Sequence, residues 1–382
     1  MTPYENLLYF LLLMLLFLPI VIYGLRGKKI TFYNTLVGWT LILLIFKDDI
    51  KQLLFFICFT IFQSVLVINY RKYREKYNNP RVFYFLIVLT LFPLILTKVQ
   101  PLLIPNSIIG FLGISYVTFK SIQLLIEIRD GLIKSLTLFE FLQFFLFFPT
   151  FTSGPIDRYR RFEKDFKNSF EPEEYKVLLF NGINLIFRGF LYKYIIAHAI
   201  NLYIISNVYL HEDLFVLKLL YMYAYSFYLF FDFAGYSAFA VGVSYLLGIQ
   251  TPQNFNKPFL SRNIKDFWNR WHMTLSFWFR DYVYMRLVFF LQKKKIIKNR
   301  YVISYISYFT LFFLMGLWHG LALHFIVYGI YHAILIICYD LFERKNKEKK
   351  LIRRTKFTDI LSIIITFHFI CFGFLIFSGT LF

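Results

Sequence analysis

Residues 301–340 are apolar almost without interruption, and a run of that length has no place in a water-soluble core. About 20 apolar residues cross a bilayer, so this run fits two crossings better than one. Gly316-Leu317-Trp318-His319-Gly320 sits near its middle, which puts the turn between the crossings close to His319. Lys293, Lys294, Lys295, Lys298 and Arg300 precede the run, and Arg344, Lys345, Lys347, Lys349 and Lys350 follow it. Lysine and arginine gather in short cytoplasmic loops, so both flanks are expected on the inner side. An ionisable side chain at membrane depth is costly and is a functional candidate. The other reading of His319 is a hydrogen bond to a neighbouring helix, and this stretch taken alone favours neither.

The rest of the chain has the same character. Of 382 residues, 58% are hydrophobic, which requires an all-α integral membrane protein. The runs are continuous rather than alternating, which excludes a transmembrane barrel. Crossings are expected at residues 7–23, 32–46, 53–69, 82–99 and 108–128. Basic loops at 24–29, 71–81 and 129–131 lie inside, and an outer turn carries Pro101 and Pro105. The first run has no basic residue before it, so it is expected to persist as a helix and not to be cleaved.

The alternation then fails. Residues 136–151 are apolar but lead into a second inner loop, Ser153-Gly154-Pro155-Ile156-Asp157-Arg158, so they read as re-entrant or as a tight hairpin. A crossing at 177–205 and an outer loop at His211-Glu212-Asp213 follow. Residues 214–248, interrupted by Asp232 and Gly235, read as a crossing continuing into a bent or interfacial segment. Residues 251–286 interleave arginine and lysine with tryptophan and phenylalanine, a pattern of helices lying in the interface. Within them, 262–279 has helical spacing, with Phe267, Trp271, Thr274, Leu275 and Trp278 on one face and His272 beside it. Residues 287–291 are too short to span and read as an apolar plug flanked by lysines. A last crossing at 358–377 contains His368.

Enzyme signatures for metalloproteases, serine hydrolases, phosphate-binding loops and dinucleotide folds are absent. His319, His324 and His332 are spaced by five and eight, which does not set all three on one helical face, so a zinc site is disfavoured. Glu127, Glu140 and Asp232 are expected to pair with arginine or lysine at helix ends, and Asp281 with Arg280. Cys58, Cys338 and Cys371 sit in apolar runs and are expected as buried, inert thiols. The net charge of +20 orients the helices. It also suits anionic lipids or an acidic soluble partner, whereas nucleic acid has no basic soluble domain to bind.

Two histidines remain in unusual company. Residues 269–284, opening Asn269-Arg270-Trp271-His272, and Gly316-Leu317-Trp318-His319-Gly320 resemble the two signature blocks of the membrane-bound O-acyltransferases. Residues 115–123, 153–162 and 231–237 are similar to the branch of teichoic acid D-alanyltransferases. The resemblance implies one membrane domain over 1–382. Its parts would be N-terminal helices (1–130), a catalytic core (131–342), and a basic loop with a C-terminal helix (343–382). It also implies about 10–12 crossings with re-entrant and interfacial helices around a central tunnel.

By the same resemblance His319 is the essential histidine and His272 the second. Trp318, Gly320, Trp271, Arg270, Asn269 and Ser237 are the motif or tunnel residues. The implied reaction moves D-alanine from the phosphopantetheine thioester of an acidic carrier protein towards lipoteichoic acid, with no permanently bound cofactor and no metal. An outward-facing transfer partner and a small single-span partner are implied as well. Leu287, Val288 and Phe289 with Lys293, Lys294 and Lys295 are the expected carrier-docking surface. Chemically, a neutral, buried His319 would be a general base. Two alternatives stay open: an O-acetyltransferase of an exported polysaccharide, and a transporter or flippase with buried histidines.

Overall fold

The computed structural model describes Tyr4 and residues 7–103, 110–208 and 215–382; His211, Glu212, Asp213 and Pro105 lie outside them. Every regular element among the described residues is helical. Among the described residues, six helices are long and apolar enough to cross a membrane: Ile50–Lys76, Pro80–Leu103, Phe215–Leu246, Arg300–His319, Leu323–Lys349 and Lys356–Ser378. Leu8–Gly24 and Thr31–Ile45 are shorter apolar helices. The molecule is a multi-pass membrane protein.

Two compact units divide the chain. Residues 1–189 and 236–252 form the first. Its axis is the helix Ile114–Arg129, in which every residue from Tyr116 to Ile128 is buried. It starts six residues later than the expected crossing, after Gly113 turns the chain with φ 98°. The suspected re-entrant segment is here. Thr137 and Glu140 form a reciprocal cap on the helix Leu138–Phe145. Eight residues rise only about 12 Å, far short of the ~30 Å hydrocarbon core. A 3₁₀ turn, Phe148–Thr150, and non-helical chain up to Arg158 follow.

A fully buried lysine closes that short helix. Lys120 Nζ donates to the carbonyls of Phe144 (2.9 Å) and Phe145 (3.3 Å), which the helix end leaves without intrahelical partners. Segments expected on the inner side meet one another in this unit. Arg71 bonds the carbonyl of Lys134, Arg74 that of Arg129, and Lys29 those of Asp165 and Asn168. Glu127 pairs with Arg160 (3.5 Å) and Glu140 with Lys167 (2.6 Å), as expected of both carboxylates.

Residues 190–235 and 253–382 form the second unit. The long apolar run opens into Arg300–His319 and Leu323–Lys349, with the break where it was expected. Three expectations need correction. Residues 214–248 do not bend into a separate segment, because one helix, Phe215–Leu246, passes through Asp232 and Gly235. Residues 262–279 are not one helix but two short ones, Ile264–Trp268 and Met273–Phe279, and their aromatic face is enclosed rather than laid on a surface: Phe267, Trp268, Trp271 and Trp278 are all buried. Only Cys371 is buried; Cys58 and Cys338 are exposed, each pointing outward from its helix. The region expected as a crossing at 177–205 is helical but turns to π geometry at Leu191–Ala197 and Asn201–Ile205.

Candidate active site

The site is best built from the break at Asn269–His272. Asn263 caps the first short helix by accepting from Asp266 N (2.8 Å), and Asp266 in turn accepts from Arg270 Nε (2.7 Å). The chain then reverses: the N–H groups of Arg270 and Trp271 both return to the Phe267 carbonyl. Residues 254–256 hold the reversal from outside. Asn256 N donates to the Arg270 carbonyl and Met273 N to the Asn254 carbonyl, both at 2.9 Å. Asn254 Oδ1 accepts from Thr274 Oγ1 at 2.6 Å. Between these anchors His272 takes a left-handed backbone, φ 41° and ψ 51°. A non-glycine residue rarely rests there, though histidine does so more often than most.

The His272 side chain is 4% exposed. Phe233 stands perpendicular to its ring, 4.7 Å between centroids. Burial, and secondly a charge on nearby His319, pushes this imidazole from 6.5 down to about 3. It is therefore neutral at working pH. Its Nε2 has no hydrogen-bond partner among the described residues. Trp271 is locked by Phe374 (4.7 Å), Phe255 (5.1 Å) and Phe267 (5.6 Å).

His319 is the last residue of its helix. Gly320 leaves in extended conformation, its N–H returning to the Gly316 carbonyl. The imidazole contacts Trp318 (4.6 Å) and Phe377 (4.9 Å) and lies 6.1 Å from Tyr328. It is half-buried, not enclosed as expected, because the helix ends there and the following turn leaves one side open. His272 is the enclosed member of the pair.

Of the expected residues, His319, His272, Trp318, Gly320, Trp271, Arg270 and Asn269 belong to the second unit. Ser237 is buried in the first unit. Leu287, Val288 and Phe289 lie on the helix Met285–Lys294, which Lys295 ends with a left-handed φ of 53°. Phe289 and Phe290 are exposed, as are Lys293, Lys294 and Lys295, while Leu287 and Val288 are partly covered. Asp281 does pair with Arg280, at 2.9 Å. Asp232 does pair with a lysine, but in the body of its helix rather than at an end: Lys193 Nζ is 2.5 Å from Oδ1.

Two contributors escaped the sequence reading. Asn254 shapes the His272 turn from 18 residues away, where no local pattern reveals it. His332, set aside with the zinc reading, is fully buried against Tyr328 (4.5 Å) and Trp268 (5.0 Å), and neither ring nitrogen has a hydrogen-bond partner among the described residues.

The model of the MBOAT, membrane-bound O-acyltransferase family matches residues 31–382. The chain is 54% identical to a teichoic acid D-alanyltransferase of Bacillus subtilis, covering 99% of this chain and 98% of the relative. It is 43% identical to the Streptococcus thermophilus protein of that name, covering 100% and 96%. Likeness to a probable alginate O-acetylase of Pseudomonas aeruginosa is 32% over 62% of this chain and 43% of that one. With its paired histidines set among spanning helices, the chain belongs to the membrane-bound O-acyltransferase family.

Proposed function

We propose that this acyltransferase moves D-alanine from the phosphopantetheine thioester of an acidic carrier protein towards lipoteichoic acid hydroxyls. The observation that carries the reading is the contrast between the two histidines. His319 sits half-open at a helix end, where reactants can reach it, and His272 is enclosed and neutral behind it.

In this mechanism His319 takes the proton of the acceptor hydroxyl as its oxygen attacks the thioester carbonyl. The tetrahedral adduct collapses, the C–S bond breaks, and the departing thiolate recovers the proton from the imidazolium. General-base catalysis of this kind contributes roughly 10²–10⁴-fold. His272, neutral at any working pH, orients one of the reacting groups through its unused Nε2.

The exposed Phe289 and Phe290 beside Lys293, Lys294 and Lys295 suit an acidic carrier with a small apolar patch, and Val288 lies on the same helix. An outward-facing transfer protein and a small single-span protein would complete delivery to the polymer. The likeness of the D-alanyltransferase relatives over nearly their whole length favours this reading. The partial likeness to alginate O-acetylases keeps polysaccharide acetylation as the second.

The test is discharge of a carrier loaded with labelled D-alanine by protein in vesicles. Wild type should discharge it, and His319→Ala should lose discharge while still binding the carrier. Val288→Asp should lose carrier binding itself. Equal discharge by wild type and His319→Ala would remove His319 from the chemistry. Full activity of Val288→Asp would favour a donor that needs no carrier, as in acetylation.

A further inference from the structure

The ion pair between Lys193 and Asp232 has no role in the scheme above, and its setting is unusual. Asp232 lies near the middle of the spanning helix Phe215–Leu246. Lys193 lies on the π-helical turn Leu191–Ala197. Such turns are rare and concentrate at functional sites. An ion pair in an apolar medium adds little stability, and an apolar pair of similar volume often does as well. Folding alone therefore does not account for these two charges.

The carboxylate is also accessible. The Asp232 side chain is 35% exposed and that of Lys193 18%. A charged group at that depth cannot face hydrocarbon and must border an aqueous or protein-lined space. Lys193 occupies Oδ1, whereas Oδ2 accepts no hydrogen bond among the described residues.

The neighbours of the pair reach the active site. Tyr192, next to Lys193, packs on Phe231, next to Asp232, at 5.2 Å. On the other side of Asp232, Phe233 is the residue whose ring meets His272. Phe230, one turn of the same contact, packs on Trp271 at 6.1 Å. Asp232 thus shares one helix turn with the residues that pack on Trp271 and His272.

We propose that Asp232 binds the α-ammonium of an aminoacyl group during transfer, with Lys193 holding the carboxylate in place through its other oxygen. This rests on the D-alanyl reading and deepens it. An aminoacyl thioester differs from a simple acyl thioester by one cationic group near the reacting carbonyl. α-Amino groups titrate near ~8, so that group is largely protonated at neutral pH. Bringing it into a low-dielectric site requires a fixed negative partner. Oδ2 of Asp232 is that partner, and charge-assisted hydrogen bonds of this type are the strong ones. The pair makes the enzyme selective for aminoacyl over plain acyl donors.

The experiment compares two carriers, one loaded with D-alanine and one with propionate, which lacks only the amine. Rates are measured in vesicles for wild type, Asp232→Asn and the double variant Lys193→Gln/Asp232→Asn. The double variant leaves no unpaired buried charge and covers the case in which Asp232→Asn fails to fold. Wild type should prefer the D-alanyl carrier by on the order of tenfold or more. In both variants the D-alanyl-to-propionyl ratio should fall towards one. A ratio that stays at the wild-type value, whether the two rates fall together or not at all, overturns the ammonium subsite and leaves the D-alanyl reading intact. Wild-type discharge of propionyl but not D-alanyl carrier overturns that reading and the subsite with it.

Discussion

Gly316 and Gly329 touch backbone to backbone: a Cβ built on either lies 3.3 Å from the Cα of the other. This contact joins the helix that ends at His319 to the helix that carries His332. A Cβ on Gly329 would also stand 2.4 Å from the Phe312 carbonyl oxygen, and one on Gly316 2.5 Å from that of Phe325. Backbone cannot rotate out of the way as a side chain can. Gly329→Ala should therefore force the helices apart, costing about 1–3 kcal/mol, with transfer activity falling in step. Thermal unfolding in detergent reads this directly, and an unchanged midpoint would show that the helices do not cross so closely.

His272 makes stability depend on pH. Its imidazole is held near 3 in the folded protein, against 6.5 in an exposed chain. The unfolded chain thus takes up a proton that the folded one refuses. Stability from this source is complete above about pH 6.5 and declines as the pH falls towards 3. His272→Gln should lose less stability than wild type between pH 7 and pH 5. Parallel pH profiles for the two proteins would mean that the imidazole is not enclosed.

Lys120 is a structural hydrogen-bond donor, and its loss should be felt away from the chemistry. Lys120→Met keeps the apolar stem but leaves the Phe145 carbonyl without its donor and the Phe144 carbonyl with backbone donors alone. Each unsatisfied buried group costs roughly 1–3 kcal/mol. The expected result is a lower melting temperature and earlier proteolysis between residues 145 and 158. Native-like protease resistance in the variant would contradict this role.

The three thiols should separate cleanly. A small membrane-permeable maleimide should modify Cys58 and Cys338 in the folded protein, slowly because both thiols lie on spanning helices and stay protonated there, and Cys371 only after denaturation. Mass spectrometry of the labelled peptides distinguishes them. Early labelling of Cys371 would place the Lys356–Ser378 helix differently.

What could be read from the chain beforehand follows from which forces are local. The crossings at 300–319 and 323–349 were legible because apolar length and basic flanks are properties of a contiguous run. The short helix before Phe148 was legible because two inner loops cannot bracket one crossing. The His272 turn was not, because the aromatic spacing across 262–279 remains helical while the reversal is made by backbone groups at Asn254 and Asn256. The partner of Asp232 was equally hidden, since Lys193 stands 39 residues away on another helix. The exposure of His319 depended on where its helix stops, and the glycine after it was the one available sign.

The left-handed backbone at His272 sets two costs against each other. Conformations of this kind cost on the order of 1–3 kcal/mol for a residue with a side chain, and glycine would relieve that cost. The imidazole nevertheless fills a closed space against Phe233, and emptying such a space costs about 2–5 kcal/mol, so backbone and side chain pull in opposite directions at this one position. A glycine here would free the backbone and empty the space beside Phe233 at the same stroke, even with His319 in place.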